Sequence, residues 1–234
     1  MHCKSLLILL LVAGCKTAPR SYVQPTQNTP IAENIAADAK IAEMILPYTE
    51  GMSMAMDEVI GFCPAFLEKK KPNSALGSMM CDAVLLAAQE SIPIQTENSP
   101  KLNFSILNYG GIRSTLDSGD ITVGEVFQIM PFENEIVILK MDNRYLDTLA
   151  KFTNLKGGEP MSLINMSEFY KAKKGKSSYF YLITNDYMAN GGDNYGFLLN
   201  SVERISTGIK IRDAMITYIE QNNPIPLDYN LRGF

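Results

Sequence analysis

Two apolar stretches of this chain each run directly into a pair of glycines. LNFSIL leads into NYGGIRS (residues 108–114), and YFYLIT is followed by ANGGD (residues 189–193). Glycine permits positive φ and has no Cβ, so a loop after a strand can bring its backbone amides against a ligand. In the first loop, Arg113 adds a fork of donors suited to carboxylate, phosphate, hydroxyl or carbonyl acceptors. The same pattern also fits a tight turn in which Arg113 pairs with a surface carboxylate.

Strand-like and helix-like periodicities alternate along the chain, which predicts an α/β or α+β domain. Strands are predicted at residues 102–107, 136–141 and 179–184, and at the alternating Met52, Met54 and Met56. Helices are predicted at residues 31–47, ending at Pro47, and at residues 74–90, with Asn73 or Ser74 as the N-terminal cap. A short helix should start at the capping box that begins at Thr122, and another helix should span residues 143–152. The last helix should begin at a cap on Ser206 or Thr207 and end at Pro224.

The length and net charge of the chain limit the kinds of fold and partner that it can have. A chain of 234 residues with 46% hydrophobic content can bury a core of ordinary size as one domain. A net charge of -4 argues against a nucleic-acid partner, because phosphate backbones are held by clustered Lys and Arg. The one dense basic run, KAKKGK at residues 171–176, fits a solvated hairpin tip.

The N-terminal residues are typical of an export signal and not of a folded element. Lys4 precedes the apolar run LLILLLV, which is too short to span a bilayer, and LVAGC resembles the lipobox of bacterial lipoproteins. This predicts a signal peptide over residues 1–14, lipidation at Cys15, a flexible tether over 15–30 and a domain over 31–234. Lys16 favours the outer membrane of a bacterial cell envelope. The alternative is an ordinary secretory peptide with an incidental cysteine.

Two cysteines, Cys63 and Cys81, lie in the predicted domain. In an exported protein they could form a disulfide, and two buried free thiols are the alternative. Neither has the spacing of a metal site.

Four ordered motifs resemble the C-terminal domain of the 5′-nucleotidase family, whose members include ecto-5′-nucleotidase and UDP-sugar hydrolase. NYGGIRS, the GDIT segment, PFEN and YMANGGDNYGF are similar to the family's N-x-GGIR, G-x-I-T/S, PF-x-N and F-x-A-x-GGD-G, and SALGSMMCDA looks like a family helix. The resemblance runs from about residue 35 to Arg232. It implies the fold of that domain, an α+β fold with mixed sheets flanked by helices.

The resemblance implies a nucleoside or nucleotide ligand, with its base between the rings of Phe132 and Tyr187. Asp193 would accept hydrogen bonds from the ribose 2′ and 3′ hydroxyls. The predicted substrate-binding residues are Asn108, Gly110, Gly111, Arg113, Phe132, Tyr187, Gly191, Gly192 and Asp193. Taken singly, Phe132 could instead be a core residue and Asp193 a turn residue.

Two departures from the family pattern concern the predicted substrate-binding residues and their surroundings. Tyr187 stands where the family usually has Phe, which keeps the ring and adds a hydroxyl. Family members often carry another Arg near the helix of SALGSMMCDA, where Lys70 or Lys71 could substitute without a bidentate fork.

A further departure concerns catalysis. In the family, hydrolysis takes place in a separate metallophosphatase domain that binds two metal ions through Asp, Asn and several His. This sequence has one histidine, His2, in the predicted signal peptide. We therefore predict no catalytic residue, metal site or cofactor here, and expect divalent metals in a partner metallophosphatase.

Two functions stay open at this point. The first is the recognition half of a split 5′-nucleotidase in nucleotide catabolism. The alternative is a cell-envelope nucleoside- or nucleotide-binding lipoprotein without catalytic activity. A hydrolase that uses carboxylates alone is a third and weaker possibility.

Overall fold

The computed structural model describes residues 35–72, 74–91, 103–162, 179–230 and 232. The predicted signal peptide, the lipidation site Cys15 and the tether lie outside the described residues, as do Asn73 and the KAKKGK segment. The chain divides into two compact units, Met1–Met44 and Ile45–Phe234. In the first unit, Asp38 Oδ1 accepts hydrogen bonds from the backbone N–H groups of Lys40 and Ile41, over 2.9 and 3.1 Å.

Helices and strands alternate in the described residues. In chain order they are α1 (Ala39–Met56), β1 (Val59–Cys63), α2 (Ala75–Ser91), β2 (Asn103–Ser105), β3 (Gly119–Thr122), α3 (Val123–Ile129), β4 (Glu135–Asp142), α4 (Tyr145–Leu155), β5 (Tyr179–Asn185), α5 (Asp186–Ala189), β6 (Glu203–Lys210) and α6 (Ile211–Gln221). Short 3-10 turns lie at Tyr109–Gly111, Gly192–Asn194 and Gly196–Asn200.

The strands form two sheets. Strands β1 and β3 pair antiparallel, and the second sheet has the order β2-β5-β4-β6. In that sheet β2 runs parallel to β5, while β4 is antiparallel to both β5 and β6. The prediction of an α+β fold with mixed sheets and flanking helices is confirmed.

The four-stranded sheet is covered on both faces because its strands alternate between two apolar clusters. On β4, Ile136 and Ile138 belong to a cluster that includes residues of α2 and α6. Val137 and Leu139, which point the opposite way, belong to a cluster that includes residues of α4. Strand β2 leads into the first glycine-rich loop, and β5 leads into the second through the short helix α5, so the sheet positions both loops.

Several local predictions are confirmed. Ser74 opens α2, since its Oγ accepts a hydrogen bond from the Gly77 N–H over 3.1 Å. Thr122 and Glu125 form the predicted capping box at the start of α3. Cys63 and Cys81 are buried free thiols, so the disulfide alternative is wrong.

The prediction that the first helix ends at Pro47 is wrong, and so is the strand at Met52, Met54 and Met56. Helix α1 continues through Pro47 to Met56. Proline removes one backbone donor, but Met and Ala have high helix propensity, so three alternating methionines without β-branched neighbours do not make a strand. Among the described residues, no helix is long and apolar enough to cross a membrane.

The predicted cap of the last helix is also wrong. Ser206 and Thr207 lie in β6, where Ser206 is opposite Val137 and the Thr207 hydroxyl donates to the Ile136 carbonyl over 2.8 Å. Helix α6 begins four residues later, at Ile211. Ser and Thr favour helix caps locally, but pairing with β4 decides their conformation here.

Candidate functional site

A cavity of about 530 Å³ is bordered by both glycine-rich loops and by the segment that follows α3. Its lining residues are Asn108, Gly110, Gly111, Phe132, Glu133, Asn134, Tyr187 and Asp193. Six of the nine residues predicted from the sequence therefore lie on one cavity. Arg113, Gly191 and Gly192 are not among its lining residues, but Arg113 contacts Gly110 and Phe132, and Gly192 lies against Tyr187.

Asn108 joins the two glycine-rich loops. Its side-chain Nδ2 donates to Asp193 Oδ2 over 2.6 Å, and its Oδ1 accepts from Asn185 Nδ2 over 3.0 Å. Asn108 and Asn185 are buried, so the bond between them forms away from competing water. Asn185 Oδ1 in turn accepts the Met188 N–H over 2.7 Å at the start of α5. The network fixes the position of the Asp193 carboxylate at the cavity.

The glycines of the two loops are explained by different constraints. Gly191 has a φ of 86°, which side chains disfavour. Gly110, Gly111 and Gly192 do not have positive φ, so conformational freedom does not explain them. A Cβ on Gly110 would lie 3.1 Å from Asn108 Nδ2, and one on Gly192 would lie 2.5 Å from the Tyr187 ring. These two glycines leave room for the groups that form the cavity wall.

The two aromatic rings on the cavity are accessible. Phe132 is 41% exposed and Tyr187 is 46% exposed. The alternative that Phe132 is a core residue is therefore wrong. Exposed rings of this size offer flat apolar faces to a ligand.

Asp186 ties together the segments that carry the two rings. Its Oδ1 accepts hydrogen bonds from Asn134 Nδ2 over 2.7 Å, from the Glu135 N–H over 3.3 Å and from the Tyr187 N–H over 2.9 Å. One carboxylate thus links the segment after Phe132 to the turn that bears Tyr187. The relative placement of the two aromatic segments is set by this contact.

Arg113 lies beside one ring and forms no ion pair with a carboxylate of the described residues. Its guanidinium carbon is 5.8 Å from the centre of the Phe132 ring, and its Nη1 donates to the Gly110 carbonyl over 3.3 Å. An arginine within about 6 Å of an aromatic face is attracted to it. Arg113 therefore supports the outer side of Phe132 and the first loop.

The candidate substitutes for the family's second arginine do not line the cavity. Lys71 Nζ donates to the Lys156 carbonyl over 2.6 Å and lies 5.3 Å from the centre of the Tyr109 ring. Lys70 pairs with Glu68 over 3.5 Å. Sequence reasoning missed Lys69, whose Nζ donates to the Ile112 carbonyl over 2.9 Å and so supports the first loop.

Glu133 and Asn134 line the cavity and were also missed. Both follow Phe132 directly in PFEN, and this adjacency was the signal that could have found them. Glu133 forms an ion pair with the buried Arg212, whose guanidinium stacks 3.9 Å from the centre of the Phe127 ring. The hydrogen bond from Arg212 lowers the pKa of Glu133, which keeps this carboxylate charged at the cavity rim.

A buried carboxylate supports the first loop from behind. Glu159 is only 5% exposed, and its Oε2 accepts the Tyr109 N–H over 2.8 Å. Burial raises the pKa of Glu159, against the opposing effects of that bond and of Lys71 and Lys156. Asp193 adds to the increase, so the negative charges of these two carboxylates interact.

The described residues do not fit the two-metal centre that the family resemblance implies. Among them, no group of three or more His, Cys, Asp or Glu side chains could share a metal ion. The only histidine of the sequence, His2, lies outside the described residues. We derive no chemical step through a metal in this domain.

These features describe an α+β domain with a cavity whose lining includes two exposed aromatic rings and a carboxylate that is hydrogen-bonded to Asn108. The model of the 5′-nucleotidase C-terminal domain matches residues 57–147. Together with the relatives below, this match shows that this part of the chain is similar to the 5′-nucleotidase C-terminal domain.

The curated relatives agree with this assignment. Silent protein UshA(0) of Salmonella typhimurium is 25% identical over 208 residues, which cover 82% of this chain and 36% of the relative. Protein UshA of Escherichia coli is 24% identical over 85% of this chain and 38% of the relative. A 5′-nucleotidase of Vibrio vulnificus is 26% identical over 55% of this chain and 26% of the relative. The chain thus spans between a quarter and two fifths of the length of these relatives.

Solved structures show the same fold. A 5′-nucleotidase precursor from Thermus thermophilus superposes with a TM-score of 0.61 at 20% identity, covering 82% of this chain and 42% of that chain. A putative 5′-nucleotidase from Staphylococcus aureus in complex with α-ketoglutarate has a TM-score of 0.59 at 11% identity, covering 86% and 44%.

Proposed function

We propose that this domain recognises the nucleoside part of a nucleotide and is the non-catalytic half of a split 5′-nucleotidase. The observation that carries the proposal is that Phe132, Tyr187 and Asp193, from two separate segments, line one cavity of about 530 Å³. This volume lies within the range of small-molecule sites, about 300–1,000 Å³.

The chemistry of the lining suits a nucleoside. Each exposed ring offers a flat face on which a base can stack, an interaction worth about 1–3 kcal/mol. The Asp193 carboxylate is held by Asn108 and can accept hydrogen bonds from sugar hydroxyls. Among the described residues, the cavity lining includes two carboxylates, Glu133 and Asp193, and no Lys or Arg, which favours placing the phosphate outside the cavity.

In this proposal a separate metallophosphatase supplies the metal centre. The sequence has a single histidine, and a two-metal centre that generates hydroxide near neutral pH needs several imidazole and carboxylate ligands. The role of this chain is then to hold the nucleoside so that the phosphate faces the metals of the partner. Orientation of this kind supplies a large part of the rate gain of an enzyme.

The test is release of phosphate from AMP by this chain, by a metallophosphatase from the same organism, and by their mixture. The proposal predicts no release by this chain alone with or without divalent metal, and a faster rate for the mixture than for the partner alone. Chelator-sensitive turnover by this chain alone would contradict it. A mixture no faster than the partner, together with nucleoside binding, would favour the non-catalytic binding lipoprotein.

We also propose that the chain is anchored to the bacterial cell envelope, in the outer membrane, through lipid on Cys15. The support is the LVAGC sequence followed by Lys16. A tether of about fifteen residues would let the domain reach a few tens of ångströms, roughly, from the membrane surface.

A further inference from the structure

The hydroxyl of Tyr187 is bonded to the residue that the proposed function assigns to the sugar. Tyr187 Oη donates to Asp193 Oδ1 over 3.1 Å and accepts the Asp193 N–H over 3.2 Å. One hydroxyl thus holds both the side chain and the backbone of Asp193. A phenylalanine at position 187 could make neither bond, so stacking alone does not account for the tyrosine.

Asp193 has a backbone conformation that needs support. Its φ of 51° and ψ of 30° lie in the left-handed region, which L residues with a side chain rarely adopt. The Tyr187 hydroxyl fixes the N–H and Oδ1, while Asn108 Nδ2 fixes Oδ2 over 2.6 Å. Each carboxylate oxygen is therefore held by one donor, and the two donors come from two different segments of the chain.

These bonds leave part of the hydrogen-bond accepting capacity of the Asp193 carboxylate available to a ligand. An ionised carboxylate has about four acceptor positions, two on each oxygen. Among the described residues, Tyr187 and Asn108 each occupy one position, on different oxygens, which leaves one position on each oxygen for a ligand. Two acceptors side by side suit two hydroxyl donors on adjacent carbon atoms, as in a ribose with free 2′ and 3′ hydroxyls.

We propose that the Tyr187 hydroxyl is a positioning group that fixes the Asp193 carboxylate for a vicinal diol. The same residue then offers its ring to the base and uses its hydroxyl to select the sugar. The inference rests on the proposed function and adds to it a role for the Tyr187 hydroxyl, which sets how strongly Asp193 distinguishes a ribose from its dideoxy analogue.

The experiment compares Tyr187→Phe with the unaltered full chain, using adenosine and 2′,3′-dideoxyadenosine in calorimetric titrations. Tyr187→Phe keeps the ring, so dideoxyadenosine affinity should change by less than about twofold. Adenosine affinity should fall by about three- to tenfold, because hydrogen bonds to a charged group are stronger than neutral ones and depend on orientation. Tyr48→Phe is the matched control, since Tyr48 is 74% exposed and does not line the cavity.

A double-mutant cycle separates positioning from a general structural effect. In an Asp193→Ala background, Tyr187→Phe should cause no further loss of adenosine affinity, because the hydroxyl acts through Asp193. Two results would overturn the inference. The first is an equal loss of affinity for adenosine and for dideoxyadenosine in Tyr187→Phe, and the second is additive losses in the double-mutant cycle. Melting temperatures of all variants identify a loss that comes from unfolding.

The outcomes also separate this inference from the function on which it rests. Absence of binding by the unaltered chain to either nucleoside would contradict the proposed function and the inference together. Binding of adenosine by the unaltered chain, with the same adenosine-to-dideoxyadenosine ratio in Tyr187→Phe, would overturn the inference alone.

Discussion

Gly192→Ala is the substitution whose effect the structure defines most sharply. A Cβ at this position would lie 2.5 and 2.6 Å from two atoms of the Tyr187 ring and 2.6 Å from the Tyr187 carbonyl oxygen. The ring could swing away, but the carbonyl oxygen belongs to the backbone of α5, so the turn itself has to shift. Asp186 and Asn185 anchor that turn through their side chains, which opposes such a shift.

The cost follows from overpacking and from loss of the stacking face. Forcing extra atoms into a packed site costs about 1–3 kcal/mol of the free energy of unfolding. For a domain of about this size, 1 kcal/mol lowers the melting temperature by roughly 2–4 °C. Displacement of the Tyr187 ring should also remove about 1–3 kcal/mol of stacking, so nucleoside affinity should fall by about five- to 150-fold.

Gly196→Ala is the matched control for this prediction. Gly196 lies four residues further along the same segment, does not have positive φ, and has no atom within 4 Å of the position of an added Cβ. Its replacement should change the free energy of unfolding by less than about 0.5 kcal/mol. Thermal unfolding and adenosine titration of both variants are the assays. Identical melting temperatures and affinities for the two variants would refute the steric reasoning.

Three further predictions concern the ring, the buried carboxylate and the anchor. Phe132→Ala should weaken nucleoside binding by about 1–3 kcal/mol in titrations, with an unchanged melting temperature because the ring is exposed; a loss of stability equal to the loss of affinity would contradict this. Because burial raises the pKa of Glu159 in the folded state, the free energy of unfolding should fall as pH rises from the ordinary glutamate value through the raised one. Glu159→Gln keeps an acceptor for the Tyr109 N–H, so its melting temperature should fall less steeply over that pH range than that of the unaltered chain. The same slope of melting temperature against pH in both proteins would count against this prediction. Cys15→Ala should release the chain from the membrane fraction, and unchanged membrane association with loss of lipid labelling would show another anchor.

The residues around the cavity could be predicted because they lie in compact local motifs. NYGGIRS and ANGGD each follow an apolar strand, and β2 and β5 are adjacent in the sheet, so their loops meet at one edge. The rings of Phe132 and Tyr187 could be found for the same reason, from the short motifs that contain them.

The residues that support the cavity could not be predicted, because their contacts join distant parts of the sequence. Glu159 accepts the N–H of Tyr109 from 50 residues away, and Lys69 donates to the Ile112 carbonyl from 43 residues away. Neither residue lies in a recognisable motif. Only folding brings their charges to the back of the first loop.

The errors in secondary structure have a similar cause. Met52, Met54 and Met56 alternate over too few residues to distinguish a strand from a helix. Ser206 and Thr207 are good caps in isolation, yet β4 provides a pairing edge that makes them strand residues. In both places a short local pattern competed with another interaction, and the local pattern was the weaker one.

The central claim, that this domain recognises nucleosides through the cavity between its glycine-rich loops, is tested most directly by equilibrium titration of the full chain. Adenosine, AMP and uridine are titrated into the unaltered chain and into Phe132→Ala, Asp193→Ala and Gly196→Ala. We predict saturable binding of at least one nucleoside by the unaltered chain and by Gly196→Ala, and about five- to 150-fold weaker binding by Phe132→Ala. Asp193→Ala should weaken binding of the same nucleoside more than that of its 2′,3′-dideoxy analogue. No saturable binding by the unaltered chain, or equal affinity in all the variants, would contradict the claim.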